Sequence, residues 1–446
     1  MKLQISLKLA FNFLGLGKKK SVSNARKSLY GAIAGIGISL VPLIIVLVVA
    51  NGMIEGISAR IIELSSSHLR VVMYPDPSET ADELQKTTRD ISENDISGTI
   101  TGAWPERQGI GLVIGKNGRS GGTIRAVETD FISGNPKVSG LLLTVAGTPV
   151  FENPNDAFLG EKIASDLGIE VGDTFRIVTM RNGSNGTVVP RFTTFRLKAI
   201  VSSGYQELDS LWVFIPFETG YRILPADNSS TFINISTNNA FADLNPLRNS
   251  LVLSVPKAQV VYTWRELNRS QFHSFSTTKT LLLFIMFLIV FVASVNISAA
   301  LIMLVMERRK EIAILKSMGA SPGSITFAFL LAGFFTGLGG LLAGIPVGVF
   351  CAIHINGIFQ IIEKIINFIS NFINILLTPA NQGVMLKNME IHLLDPAFYL
   401  EEIPVTLQLN ELFLISAGTL LLSVFVSIIP AYRAGQEKPL ETFRKF

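Results

Sequence analysis

Hydrophobic and polar positions alternate on two scales along the chain. On the long scale, four stretches carry no charged residue: 28–54, 280–306, 317–362 and 412–432. Each reaches the ~20 residues that cross a bilayer, so four transmembrane helices are predicted, over 28–54, 280–306, 323–353 and 412–430. On the short scale, the segment 55–279 holds strand-like runs, GLLLTVAGTPV (140–150), DTFRIVTM (173–180), FRLKAIV (195–201) and DSLWVFIPF (209–217). Helical pieces such as the one around 158–167 alternate with them, which predicts a mixed α/β domain. The expected fold class is a membrane protein: four transmembrane α-helices with a large mixed α/β extracytoplasmic domain between helices 1 and 2.

Shorter segments have patterns of their own. Residues 180–192, MRNGSNGTVVPRF, combine Asn-Gly turn chemistry with Pro190 and predict a projecting hairpin loop. Residues 1–27 form an expected cytoplasmic N-terminal segment, with Leu3, Leu7, Phe11 and Leu14 on one helical face ahead of Lys18-Lys19-Lys20; an interfacial helix on anionic lipid and a plain basic tail both fit. In 354–411, Ile358, Ile361, Ile362, Ile365 and Ile369 share a helical face opposite Gln360, Glu363, Lys364 and Asn367, which predicts an amphipathic helix and loop. Gly333, Gly337, Gly340, Gly344 and Gly348 make a small-residue ridge along the third span, and Gly31, Gly35 and Gly37 lie in the first, suited to close helix packing.

Composition agrees with much of the chain lying in lipid: 48% hydrophobic against 16% charged, with a mean hydropathy of +0.43. The net charge of +4 hides a segregation. The N-terminal segment has seven basic residues and no acidic one, and the 307–322 loop and the 431–446 tail are also basic. The 51–280 segment holds 21 basic and 24 acidic residues, and 354–411 is acidic. By the positive-inside rule, both termini and the 307–322 loop are expected in the cytoplasm, with the α/β domain and 354–411 outside. The first apolar run is long and lacks an A-x-A exit, so it is expected to stay as an anchor rather than be cleaved.

Little catalytic chemistry is encoded. A lone Cys351 excludes a disulfide framework. His68, His273, His354 and His392 show no metal-ligand spacing and no H-E-x-x-H motif, so no metal site and no catalytic residue are expected. Neither Gly15-Leu16-Gly17-Lys18 nor the stretch from Gly111 to Lys116 has phosphate-loop spacing. Near-absence of ionisable groups in the spans argues against an ion relay. Energy for any transport must come from elsewhere, and no nucleic-acid partner is expected.

The 306–322 segment, MERRKEIAILKSMGASP, reads as a short amphipathic helix with Ile312, Ala313 and Leu315 beside Glu307, Arg308, Glu311 and Lys316, closed by Gly319. On the residues alone, a knob that receives motion from a cytoplasmic partner and a basic topological anchor are equally open. The longer string NISAALIMLVMERRKEIAILKSMGAS (296–321) resembles the signature of the MacB/FtsX-like superfamily of ABC transporter permeases. The strings FLGEKIASDLGIEVGDTFRIVT (158–179) and LLDPAFYLEEIPVTLQLNE (393–411) resemble its Lol lipoprotein-releasing branch, and NGM (51–53), TWRELNRSQFHSFSTTK (263–279) and IIPAYRAGQEKPLETFR (428–444) extend the likeness over nearly the whole chain.

That resemblance implies a multi-pass permease of the bacterial inner membrane, paired with a second permease subunit, identical or paralogous, and with two cytoplasmic ATPase subunits that bind ATP and Mg. It further implies a lipoprotein substrate taken from membrane lipid and handed to a periplasmic carrier. ATPase coupling falls on Glu307, Arg308, Arg309, Lys310, Glu311, Ile312, Leu315, Lys316, Gly319 and Ala320. A carrier-binding hairpin falls on Val188, Val189, Pro190, Arg191 and Phe192, although this hairpin is Asn/Gly-rich where the family's is not. Lipoprotein contact falls on Val46, Met53, Leu283, Phe284, Met286, Phe287 and Phe291, whose composition equally suits ordinary lipid-facing packing. Within the superfamily, an efflux or export permease and a signalling permease acting on cell-wall hydrolases are the alternatives.

Overall fold

The computed structural model describes residues 24–76, 78–93, 98–182, 188–255, 257–377, 400 and 403–437. The expected N-terminal amphipathic helix therefore lies outside the described residues, as do 378–399 and the tail beyond 437. Two compact units emerge, one of 1–52, 276–389 and 404–446, the other of 53–275 and 390–403.

Among the described residues, four helices are long and apolar enough to cross a membrane. They are built on Asn24–Arg60, Arg269–Glu307, Pro322–Ile353 and Leu409–Gln436. The first, second and fourth outrun their charge-free stretches. At 1.5 Å per residue the 39-residue second helix is about 58 Å long, roughly twice the hydrocarbon thickness.

Helix three is the column on which the others pack. Its Gly340, Gly344 and Gly348 lie against Ile36, Gly37, Leu40 and Ile44 of the first helix, while Gly333 and Gly337 lie against Ser427 and Ser423 of the fourth. A Cβ at Gly333 or Gly337 would overlap those serine hydroxyls, so glycine sets how closely the two backbones approach. The buried hydroxyls are satisfied within their own helix: Ser423 donates to Thr419 O at 2.7 Å and Ser427 to Ser423 O at 2.5 Å.

The second unit is a mixed sheet of ten strands. In chain order these are β1 (Leu69–Met73), β2 (Ile100–Ile114), β3 (Arg119–Val127), β4 (Leu143–Gly147), β5 (Asp156–Gly160), β6 (Thr174–Asn182), β7 (Val188–Ser202), β8 (Trp212–Pro216), β9 (Ser229–Thr237) and β10 (Ala258–Thr263). Six of them close into a ring: β2 pairs β3, β3 pairs β8, β8 pairs β5, β5 pairs β7, β7 pairs β6, and β6 returns to β2. Val113, Ile124, Leu159, Phe175, Ile177, Phe195, Leu197 and Val213 form one buried cluster from this ring. The first half of β2 instead pairs β9, and β9, β1 and β10 form a wing with its own core.

Residues 158–160, expected to be helical, are the end of β5, and the helix begins only at Glu161. The run Asp156–Gly160 is buried at every position and pairs on both edges, so its continuous apolar pattern marks a central strand. The hairpin expected over 180–192 is mostly strand: β6 runs to Asn182 and β7 restarts at Val188, and the connecting 183–187 lie outside the described residues.

Past Arg60 the first helix widens into a π-helical turn, Ile61–Ser66, that the sheet grips from several sides. Arg125 donates to both Glu106 carboxylate oxygens at 2.6 and 2.9 Å and, through Nη1, to Leu64 O at 2.7 Å. Asn234 donates to Glu106 Oε2 at 2.8 Å and accepts from Arg70 Nε at 3.0 Å, and Arg70 Nη2 reaches Ser65 O. Trp212 and Phe214 lie under the Arg125 guanidinium. A π-turn leaves carbonyls poorly matched to the usual helical ladder, and these two arginines supply the missing donors.

Candidate functional site

Three features carry the candidate site residues. The first is a lateral apolar groove lined by Leu43 of the first helix, Leu283, Met286, Phe287 and Val290 of the second, and residues from Leu414 to Leu422 of the fourth. Leu283, Met286 and Phe287 are thus brought together, whereas Val46, Phe284 and Phe291 are exposed beside the groove and Met53 is buried in the α/β unit. Sequence reasoning missed the wall from the fourth helix, because nothing in a charge-free run says which helix it faces. The free volume is about 100 Å³. An apolar cavity of ~150 Å³ takes one benzene, so the groove as it stands receives the tip of an alkyl chain and not its length.

The second feature is the helix Arg309–Ser317 between the second and third spans. Ile312 and Ala313 are buried in the helical core, and Leu315 packs against it. Arg309 Nε meets Glu437 Oε2 at 2.7 Å, and Lys316 Nζ donates to the carbonyls of Gly435 and Glu437 at 2.5 and 2.7 Å, satisfying the C-terminal end of the fourth helix. These residues therefore anchor the helix to the bundle. Its outward face carries Lys310, Glu311, Ile314 and Met318, with Ile314 49% and Met318 78% exposed. Neither Ile314 nor Met318 was singled out from the sequence, since helical periodicity alone does not say which of two neighbouring apolar residues is covered. Ala320 N donates to Leu315 O and Gly319 N to Lys316 O, a closing turn that puts Gly319 at φ +95°.

The third feature is the β6–β7 hairpin. Met180 faces Pro190 and Val178 faces Phe192, so one face of the hairpin shows Met180, Pro190 and Phe192, the last 60% exposed. Val189 lies opposite Arg181 on the other face, and Arg191 Nη1 donates to Arg222 O. Of Val188, only its place at the start of β7 is described.

A separate cleft of about 720 Å³ in the α/β unit is lined by Arg89, Glu93, Glu128, Asp130, Glu152 and Glu218, among others. Burial, reinforced by Asp130 and opposed by Arg89, pushes the Glu128 carboxyl up to about 7. The folded state then holds a proton that the unfolded chain has released above its ordinary value of 4.5. Stability is accordingly expected to fall as pH rises from about 4.5 to about 7 and to level off above. In Glu128→Gln that slope should flatten, as read by thermal unfolding of the detergent-solubilised chain at pH 5 and 8; an unchanged slope would assign the proton elsewhere.

Among the described residues no group of His, Cys, Asp and Glu could hold a metal ion. Two G-x-S-x-G strings occur, at 118–122 and 319–323, but neither forms the strand–turn–helix of a nucleophile elbow: Ser120 opens β3 after a turn, and Ser321 caps the third helix by accepting from Ser324 N at 3.3 Å.

An apolar helical bundle with a lateral groove, a short charged helix anchored beneath it and a separate sheet domain defines a membrane permease. Residues 31–249 match the MacB-like periplasmic core domain and residues 283–380 the FtsX-like permease C-terminal region. Over these two stretches the chain is similar to MacB-like and FtsX-like permeases. It is similar to the lipoprotein-releasing system transmembrane protein LolC of Neisseria meningitidis serogroup B, 28% identical with 65% of each chain covered. It is also similar to the corresponding LolE of Haemophilus influenzae, 24% identical over 95% of this chain and 96% of that one. The chain thus spans just under two thirds of the LolC relative and nearly all of the LolE relative. The crystal structure of the periplasmic region of MacB from Actinobacillus actinomycetemcomitans aligns at 13% identity and a TM-score of 0.29, covering 46% of this chain and 92% of that one.

Proposed function

We propose that the chain is a permease subunit of a lipoprotein-releasing ABC transporter in the bacterial inner membrane, with both termini cytoplasmic and the sheet domain periplasmic. Lipoproteins leave the membrane through the lateral groove and pass to a periplasmic carrier. ATP hydrolysis in separate ATPase subunits, which bind ATP and Mg, supplies the work, and a second permease subunit completes the complex. The observation that carries this reading is the apolar groove walled by three spanning helices, and the likeness to LolC and LolE supports it.

Energetics fit the division of labour. At ~0.8 kcal/mol per CH₂, withdrawing one chain of about 16 carbons into water costs about 12 kcal/mol, so release needs an apolar receiving surface and an outside energy source. Leu283, Met286 and Phe287 offer flexible and aromatic surface for the first requirement. Lys310, Glu311, Ile314 and Met318 offer a rigid docking face for the second. The exposed Met180, Pro190 and Phe192 suit a carrier that must shield apolar cargo.

The test is reconstitution of the permease with its ATPase in proteoliposomes bearing a triacylated lipoprotein. ATP and carrier together are expected to move the lipoprotein into the soluble fraction; full retention in the vesicles under those conditions would end the proposal.

A further inference from the structure

Directly beyond the groove lies a polar cluster drawn from the same three helices. Lys279 Nζ of the second helix meets Glu411 Oε1 of the fourth at 2.5 Å, and Asn51 Nδ2 of the first donates to Glu411 Oε2. Asn51 is buried and the Glu411 side chain is only 17% exposed. Lys279 stands one helical turn from Leu283, and Glu411 one turn from Leu414 and Ile415. The three residues therefore bridge the helices at one end of the groove, the end nearer the sheet domain in sequence.

Stability alone does not explain this arrangement. With the Lys279 side chain 34% exposed and Glu411 17%, the pair is half-buried and contributes little net stability; the best attested role of such buried polar contacts is to select one arrangement of helices over another. Glu411 also sits in the first turn of its helix, where the backbone dipole favours a carboxylate and holds it in place as an acceptor. The second and fourth helices cannot part at this end while Lys279 and Glu411 stay bonded, and the groove between them is too small for a whole alkyl chain.

We propose that Asn51, Lys279 and Glu411 form a latch at one end of the groove, and that its release lets the second and fourth helices separate to admit an acyl chain of the cargo. This rests on the release function proposed above and adds its gate. The latch holds the apolar groove closed to bulk lipid between cycles. Glu411 is the shared acceptor, so losing its charge or the Lys279 ammonium removes the ionic tie between the second and fourth helices.

The test uses the full chain in lipid nanodiscs, in a Cys351→Ala background, with nitroxide labels at Leu281→Cys and Leu409→Cys. Both positions are exposed and outside the groove lining. Pulsed electron resonance reads the distance between the second and fourth helices. Glu411→Gln and Lys279→Met are each expected to shift the distribution to longer distances, and the double variant no further than either alone. A distribution like that of the unsubstituted background in Glu411→Gln, or shifts that add in the double variant, would overturn the latch. No cargo or ATPase takes part, so that failure leaves the release function standing. A latch that behaves as described in a permease that releases no lipoprotein from vesicles would sink the release function alone.

Discussion

Arg125→Met is expected to be the most destabilising single change in the α/β unit, by about 3–5 kcal/mol, because it strands the Glu106 carboxylate in the interior. Glu106 is 1% and Arg125 3% exposed, and the pair is bidentate. The loss exceeds that of one ion pair. Leu64 O loses its donor on the π-turn, and the stacking of the guanidinium against Trp212 and Phe214 goes with it. The melting temperature of the detergent-solubilised chain should fall by roughly 6–20 °C, at ~2–4 °C per kcal/mol for a domain of this size. Replacing Glu106 and Arg125 together by Leu and Met should cost less than Arg125→Met alone, since no carboxylate is left stranded, although Arg70 then loses its nearby countercharge. Equal melting of Arg125→Met and the unsubstituted chain would show that the network is not what holds the π-turn.

Ile314→Asp with Met318→Asp is expected to weaken binding of the ATPase by about 30-fold, the loss of one interface hot spot at ~2 kcal/mol. Both side chains face outward from a helix whose other side is fixed by Ile312, Arg309 and Lys316. Folding and membrane insertion should therefore be untouched, which protease protection of the sheet domain reports alongside an ATPase-binding titration. Unchanged affinity in the double variant would remove the helix from the docking role.

Much of the bundle is legible in the sequence, because a run without charge has few alternatives in a protein this apolar. The glycine ridge of the third span is also visible, but its partners are not: Gly333 and Gly337 meet Ser427 and Ser423, some ninety residues away, and spacing does not encode that pairing. The closed ring of strands is harder still. β2 contains Pro105, Gly109 and Gly111, which ordinarily argue against a strand. Gly111 is there because a Cβ would strike Ile124 and the Val178 carbonyl, a cross-strand constraint that exists only after folding.

Charge patterning fails at the same places for the same reason. Arg70, Arg125 and Glu106 are charged residues on strands, yet they turn inward: the two arginines donate to Ser65 O and Leu64 O of a π-turn whose sequence is IIELSS, and Glu106 accepts from Arg125. Lys279 and Glu411 likewise look like the ends of two spans until their helices are brought side by side. In the short helix after the second span, amphipathicity is plain, but Ile312 is covered and Ile314 is not, and only packing against the bundle decides which.

Depletion of the protein in its native cell, followed by separation of inner and outer membranes, is the most direct check on lipoprotein release. Lipoproteins destined for the outer membrane are expected to accumulate in the inner membrane as the permease disappears. Lipoprotein sorting that continues unchanged after depletion would contradict the assigned function.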